Sequence, residues 1–429
     1  GNSSYGTAIV GTVSGTSISF GSEVVFESAT VNSISATYDS TNQKVVIAYR
    51  DDGNSDYGTA IVGTVSGTSI SFGSPVVFES ANSLYISAVY DSSNQKVVIA
   101  YRDAGNSNRG TAIVGTVSGT SISFGAPIVY NTDITYWNSP IFDSTNNKVV
   151  LAYNSGTGSA GKASVFSQTG YGAVPSVGSK TVFESAANTW IMSSVYDPDN
   201  QKVVILYYDN GNSDYGTAVV GTVSGTSISF GTPVVFNSAA SYHVSAAYDS
   251  ANDKVVVAYL DWGGSGYGEA VVGTVSGDSI TFGSPVTFES ANTNYPSIVY
   301  DSTNQNVVIA YRDDGNSQYG TVIVGTVSGT SISFGSPTVF ESARSDSIVA
   351  TYDSANDKVA IAFGDAGNSY YGTAVVFSQR TISRNLTAEN YIGISDGAYS
   401  DGQTATIQLT GAVDDAQSSL TPGQKYYVQ

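Results

Sequence analysis

The chain has no cysteine, one histidine and one methionine. Without thiols there are no disulfides and no thiolate metal site, and the redox compartment stays undetermined. A single histidine, His243, leaves Ser–His–Asp and Cys–His catalysis without material, and it cannot build a histidine-rich zinc site. Charge is scarce: 12% of residues are Asp, Glu, Lys or Arg, about half the usual ~25%. The charge that is present is acidic, with 35 acidic against 16 basic residues, a net −19 and no basic patch. A polyanion would be repelled, so nucleic acid is excluded as the main partner. There is no 18-residue apolar run and no leader-like start, and no membrane insertion is expected. The chain opens in mid-motif at Gly1 and is expected to be a processed or truncated piece of something longer.

Polarity comes instead from Ser, Thr, Asn and 46 glycines, beside 30 tyrosines and a 41% hydrophobic fraction. Such a chain buries a core, and its Thr, Val, Ile, Tyr and Phe favour strands. A motif beginning "GNS" or its equivalent starts at Gly1, Gly53, Gly105, Thr157, Gly211, Gly263, Gly315 and Gly367, a spacing of 52 broken once by 54. Each unit holds four strand-like runs, in the first "GTAIVGTVS" (6–14), "SISFGSEVVFE" (17–27), "SISATYD" (33–39) and "KVVIAYR" (44–50), here termed a, b, c and d. "SGT" joins a to b and "DSTNQ" joins c to d, both tight-turn chemistry. Four short strands per repeat, seven times over, predict an all-β, seven-bladed β-propeller over 1–378, closed by a strand at 371–378 or by the N-terminal a–b pair. A β-solenoid fits less well, because its coils are shorter. From about Gln379 the repeat stops, and 379–429 reads as a small β module or half of one, with strands at "TATIQLTGAV" and "KYYVQ".

The repeat "YGTAIVGTVSGTSISFGSPVVFES…YDSTNQKVVIAYRD" resembles repeats of tail-fibre and other virion proteins of marine bacteriophages. The tail "NLTAENYIGISDGAY…GQTATIQLTGAVDDAQSSLTPGQKYYVQ" is similar to a module near the ends of phage fibre proteins. The resemblance covers nearly the whole chain and brings no active-site signature. It implies a virion-surface or extracellular, host-facing role, contact with other virion proteins, and a homo-oligomer such as the trimers common among fibres.

Comparing the units with one another separates scaffold from variation. An antiparallel meander puts the a–b and c–d links on one face and the d–a and b–c links on the other. The c–d link keeps its aspartate in all seven units (Asp39, Asp91, Asp143, Asp197, Asp249, Asp301, Asp353), and an asparagine three residues later. That is turn chemistry, since Asp and Asn side chains bond local backbone. The other face diverges. Six residues before that aspartate stand Ser33, Tyr85, Trp137, Ile191, His243, Tyr295 and Ser347, and seven before stand Asn32, Leu84, Tyr136, Trp190, Tyr242, Asn294 and Asp346. Trp262 lies in a d–a link on the same face. Aromatic rings give large contact area at small entropic cost, so Tyr85, Tyr136, Trp137, Trp190, Tyr242, His243, Trp262 and Tyr295 are the candidate ligand-binding residues. Drift of a tolerant connector, or packing at the mouth of the c strand, is the alternative.

"RDDGNSDYG" at 50–58 has the acid density of a calcium loop. Only its first aspartate persists: Asp51, Asp103, Asp209, Asp261, Asp313 and Asp365, with Ser155 the exception. One carboxylate does not make a calcium site, so these six are weak metal candidates and better strand connectors; no cofactor is expected. Paired carboxylates of the glycosidase kind are available, but there is no sialidase box with an arginine cluster and no Walker motif, and "GTVSGTS" merely joins two strands. The chain is expected to be no enzyme but a virion-surface propeller binding a host-surface glycan or protein receptor, most plausibly a glycan. A purely structural or decoration protein of a viral particle and a secreted bacterial lectin or adhesin are the alternatives.

Overall fold

The computed structural model describes residues 5–8, 11–14, 17–20, 24–66, 69–156, 160–168, 175–185, 190–353, 358–366, 371–377, 394–395 and 407–408. The chain divides into two compact units, Gly1–Ser378 and Gln379–Gln429. Among the described residues helix is confined to three-residue 3-10 turns such as Ala104–Asn106, and no helix is long and apolar enough to cross a membrane.

One repeat shows how sequence becomes sheet. "KVVIAYRD" forms the d strand Lys96–Asp103, buried over most of its length. A strand covered on both faces reads as a continuous Val/Ile/Ala run rather than an alternating one. On one side it pairs with residues 83–91 of the strand Val76–Asp91 (c), on the other with Arg109–Ser118 (a). The a strand pairs in turn with Ser121–Phe124 and with the first residues of Ile128–Asp143 (b). Each four-stranded sheet thus takes c and d from one sequence unit and a and b from the next. The same pairing surrounds Lys44–Asp51, Lys148–Ser155, Lys202–Asp209, Lys254–Asp261 and Asn306–Asp313. The last d strand, Lys358–Asp365, pairs with the eighth a strand, Tyr371–Phe377, and the N-terminal strand Ser17–Phe20 lies against that same strand.

The b run differs from its sequence reading. It is two strands, broken at "GSP" or its equivalent; Pro75 has no N–H to give the ladder, while Gly73 N donates to Val62 O at 3.0 Å. Its second half then runs on into the next c strand, as in the 16-residue strands Val24–Asp39, Val76–Asp91, Ile128–Asp143 and Val234–Asp249. In these units the b–c link is therefore extended chain passing from one sheet to the next, whereas between Val286–Glu289 and Thr293–Asp301 a short bend interrupts it.

These sheets stack face to face as an all-β propeller. Val46, Ala48, Ala60 and Val62 of one sheet pack on Val97, Ile99, Tyr101 and Ile113 of the next, and Val98, Ala100, Ala112 and Val114 pack onward on Val149, Leu151 and Tyr153. Neighbouring c strands are tied by serine: Ala88 N donates to Ser35 Oγ (3.0 Å) and Ala350 N to Ser297 Oγ (2.9 Å). The c–d turns follow the expected chemistry. Asp91 Oδ1 accepts from the N–H of Ser93 (3.1 Å) and Asn94 (2.9 Å), and Oδ2 accepts from the Asn94 amide (2.8 Å).

The glycine that every unit keeps at the start of its a strand has a packing reason. A Cβ on Gly110 would lie 2.5 Å from the Tyr130 ring. That ring fills the notch and packs on Tyr153 at 4.9 Å. In most units the buried d-strand tyrosine also finds a carboxylate: Tyr101 Oη donates to Glu79 Oε2 at 3.1 Å and Tyr311 to Glu289 at 3.2 Å.

In the second unit, Ile394–Ser395 pairs with Ile407–Gln408. The rest of the expected strand at 404–413, and all of that at 425–429, lies outside the described residues.

Candidate functional site

The variable aromatics of the c strands sit at or beside one backbone device, while Trp262 follows the d strand Lys254–Asp261. Leu84 pairs with Arg102 and Ser87 with Ala100, so three steps along c face two along d. The extra residue makes a β-bulge. The same shift falls between Asn32 and Ser35, Tyr136 and Ser139, Tyr242 and Ser245, and Asn294 and Ser297. At the bulge the backbone is left-handed: φ is 48° at Ser33, 51° at Tyr85 and Trp137, 52° at His243 and 53° at Tyr295. Glycine is the ordinary occupant of such a position, and a bulky side chain there is strained. Strain held at a half-buried, variable position points to function.

The register places this bulge beside the d–a loop, since Ser83 pairs with Asp103, and rings from neighbouring c strands converge there. Tyr85 meets Tyr136 edge-on with centroids 5.8 Å apart and Trp137 at 5.3 Å. The Arg102 guanidinium lies 5.1 Å from the ring centres of both Tyr85 and Tyr136, a cation–π arrangement. Asn138 Nδ2 donates to the Tyr85 carbonyl (3.0 Å) and its Oδ1 accepts from Tyr130 Oη (2.6 Å), fixing the bulge from the adjacent strand. Trp137 remains 43% exposed.

A second group joins Tyr242, stacked on Tyr208 at 5.4 Å, to Trp262 at 6.0 Å, the latter 57% exposed. A third pairs His243 with Tyr295 at 5.2 Å, with Arg312 over the Tyr295 ring at 5.4 Å. Burial, and then the Arg312 charge, hold the His243 imidazole below its usual pKa, so it is neutral at physiological pH. Trp190 begins the strand Trp190–Asp197; its side chain lies outside the described ones. The eight nominated residues thus fall into three clusters plus Trp190.

Comparing units at positions six and seven before the turn aspartate overlooks three cluster members: Arg102, Tyr208 and Arg312. They occupy the d-strand position just before the loop aspartate, which reads Arg50, Arg102, Asn154, Tyr208, Leu260, Arg312 and Gly364 across the units. The same unit-by-unit comparison applied there would have found them.

The loop aspartates do local work. Asp51 Oδ1 accepts from Asn54 N (3.1 Å) and Asp103 Oδ1 from Asn106 N (3.0 Å). Asp313 Oδ1 accepts from the N–H of Gly315 (2.9 Å) and Asn316 (3.0 Å), and Asp261 Oδ2 from Ser265 N (2.6 Å). Burial raises the Asp51, Asp103 and Asp209 carboxyls above the usual range, with Glu27 adding to it at Asp51 and Glu184 at Asp209. Among the described residues no three His, Cys, Asp or Glu side chains gather to hold a metal. The Asp365 side chain lies outside the described ones.

No family model and no curated relative matches the chain. Solved structures share its fold. The BP39L lectin of Burkholderia pseudomallei aligns at 10% identity with a TM-score of 0.56, over 81% of this chain and 96% of that one. Sqt1 of Chaetomium thermophilum aligns at 12% identity and TM-score 0.53, over 81% and 86%. A protein of Lactobacillus plantarum aligns at 10% identity and TM-score 0.50, over 79% and 97%. At such identities the likeness concerns the fold.

Proposed function

We propose that this chain is a non-enzymatic, extracellular carbohydrate-binding propeller of seven blades over 1–378, with 379–429 a separate small module, and that its ligands seat on the aromatic clusters at the bulge end of the c strands. The observation that carries this reading is the left-handed bulge. A near-identical scaffold spends a strained backbone position in unit after unit to hold out Tyr85, Trp137, His243 or Tyr295. The same left-handed backbone carries a serine at Ser33, so the fold itself does not demand an aromatic ring there. Flat rings flanked by amide, hydroxyl and guanidinium groups are the chemistry that stacks on a sugar and bonds its hydroxyls.

The shared fold of a bacterial lectin supports this reading. Of the settings considered, a secreted bacterial lectin or adhesin accords with that likeness better than a virion fibre, whose support is the resemblance of the repeats alone. Glycan-array binding tests it. The expected result is binding lost when Trp137, Tyr136 and Tyr242 become Ala and kept when exposed residues at the c–d turn end are changed. Binding unaffected by the triple variant refutes it.

A further inference from the structure

We propose that the cluster of Tyr85, Arg102, Tyr136 and Trp137 binds a carboxylate-bearing sugar, with the Arg102 guanidinium receiving the carboxylate. The proposal rests on the carbohydrate reading above and narrows it to acidic glycans at this cleft.

Three units carry arginine at the end of d, and two of them neutralise it internally. Arg50 Nε donates to Asp52 Oδ1 at 2.7 Å, and Asn32 holds Asp52 Oδ2 at 2.6 Å. Arg312 Nε donates to Asp314 Oδ1 at 2.7 Å, Asn294 holds Asp314 Oδ2 at 2.8 Å, and Asp346 adds a second carboxylate. The unit between 83 and 109 keeps the arginine and replaces both partners: Ala104 stands for the aspartate and Leu84 for the asparagine. Among the described residues no carboxylate pairs with Arg102, and its buried Nε has no hydrogen-bond partner.

The loop changes in the same sense. Residues 50–57, "RDDGNSDY", carry one Arg and three Asp, a net −2; residues 102–109, "RDAGNSNR", carry two Arg and one Asp, a net +1. In a chain of net −19 this is a local reversal. A guanidinium withdrawn from water without an anion is costly. Retaining it while removing its two internal neighbours leaves a site shaped for an anion from outside.

Geometry names the class of that anion. The guanidinium carbon lies 5.1 Å from the ring centres of both Tyr85 and Tyr136, and with Nε buried the terminal N–H groups are the ones offered to a partner. Those groups match a carboxylate in a two-point bond. Beside them the exposed Trp137 ring offers a flat apolar surface for the body of a sugar. The Asn138–Tyr85 hydrogen bond holds the arrangement before any ligand arrives.

The test uses matched pairs that differ in charge: hexagalacturonate against its methyl ester, and sialyllactose against lactose. Binding is measured calorimetrically at about 0.15 M salt, where long-range charge is screened. The full chain is expected to prefer the acid of at least one pair by about tenfold or more, the worth of a charge-assisted bond. Ala104→Asp rebuilds the internal pair seen at Arg50 and Arg312. It is expected to abolish the preference while leaving binding of the neutral partner unchanged. Arg102→Gln should do the same, and Trp137→Ala should weaken both members.

Equal affinity for acid and neutral forms in both pairs overturns the proposal, as does a preference that survives Ala104→Asp. If neutral glycans bind and depend on Trp137 while neither acid is preferred, the acidic inference fails and the carbohydrate reading stands. If no glycan on a broad array binds, both fall. Ala104→Asp repeats a contact the fold already makes twice, and an unchanged melting temperature confirms an intact ring.

Discussion

The buried hydroxyl of Tyr101 is a sensitive probe of how these sheets are held. Its Oη donates to Glu79 Oε2 at 3.1 Å, and the Tyr101 side chain is wholly buried. Tyr101→Phe keeps the ring and its contact with Phe78 (centroids 5.1 Å apart) and removes only the hydroxyl. Burial, followed by repulsion from Asp103, raises the Glu79 carboxyl above 4.5, and the Tyr101 bond works against that rise. A raised folded-state pKa means that Glu79's contribution is fullest below about 4.5 and is lost as pH climbs through the folded value. At pH 8 the hydroxyl therefore serves a carboxylate, a bond worth about 1.5–3 kcal/mol; at pH 4.5 it largely serves a neutral acid, worth about 0.5–1.5 kcal/mol. Urea unfolding of wild type, Tyr101→Phe, Glu79→Gln and the double variant, followed by circular dichroism at both pH values, closes the cycle. Tyr101→Phe should cost more at pH 8 than at pH 4.5. In the Glu79→Gln background that difference should vanish. A cost independent of pH, or the same pH dependence with Gln at 79, refutes the reasoning.

Other outcomes follow from the same geometry. Thermal stability should rise as pH falls from 8 to about 5, because Asp51, Asp103, Glu79 and Glu289 all have raised carboxyl pKa values and are less costly when protonated. Below about pH 4 it should fall, as Asp52, held low chiefly by its Arg50 bond, loses its charge; a melting temperature that declines steadily from pH 8 downward would contradict this. Gly110→Ala, whose Cβ would meet the Tyr130 ring at 2.5 Å, should destabilise by about 1–3 kcal/mol in urea unfolding. Ser33→Gly should stabilise by up to about 1 kcal/mol, against the usual penalty of glycine in a strand, because it relieves a left-handed serine at φ 48°. Asp91→Ala, removing three acceptor contacts from the c–d turn, should lower stability by about 1–2 kcal/mol in the same assay.

The repeat, the four-run unit and the c–d turn were legible because each rests on local chemistry: Asp91 bonds residues two and three positions on, and "KVVIAYRD" declares a strand buried on both faces. The aromatic positions were legible as the places where copies disagree. Three things were not. Glu79 and Tyr101 lie 22 residues apart in sequence, so nothing local couples them. The left-handed bulge carries no glycine to announce it, and conformation read from residue type misses Tyr85 and Trp137 there. Arg102 hid within a run that looks like strand scaffold, and its significance depends on what Ala104 and Leu84 fail to supply, a relation visible once the pairing of Leu84 with Arg102 is known.

The left-handed bulge position is occupied by Ser33, Tyr85, Trp137, His243 and Tyr295, and by none of the glycines that would sit there at ease. The neighbouring register is the same around Ser33 as around Trp137, so one backbone accepts a serine or a tryptophan there. The position's contents can be rewritten one copy at a time with little consequence for folding. The fold is thus a rack of side-chain holders, in which the surface at the bulge end is altered by a change of residue in one holder rather than by a new loop.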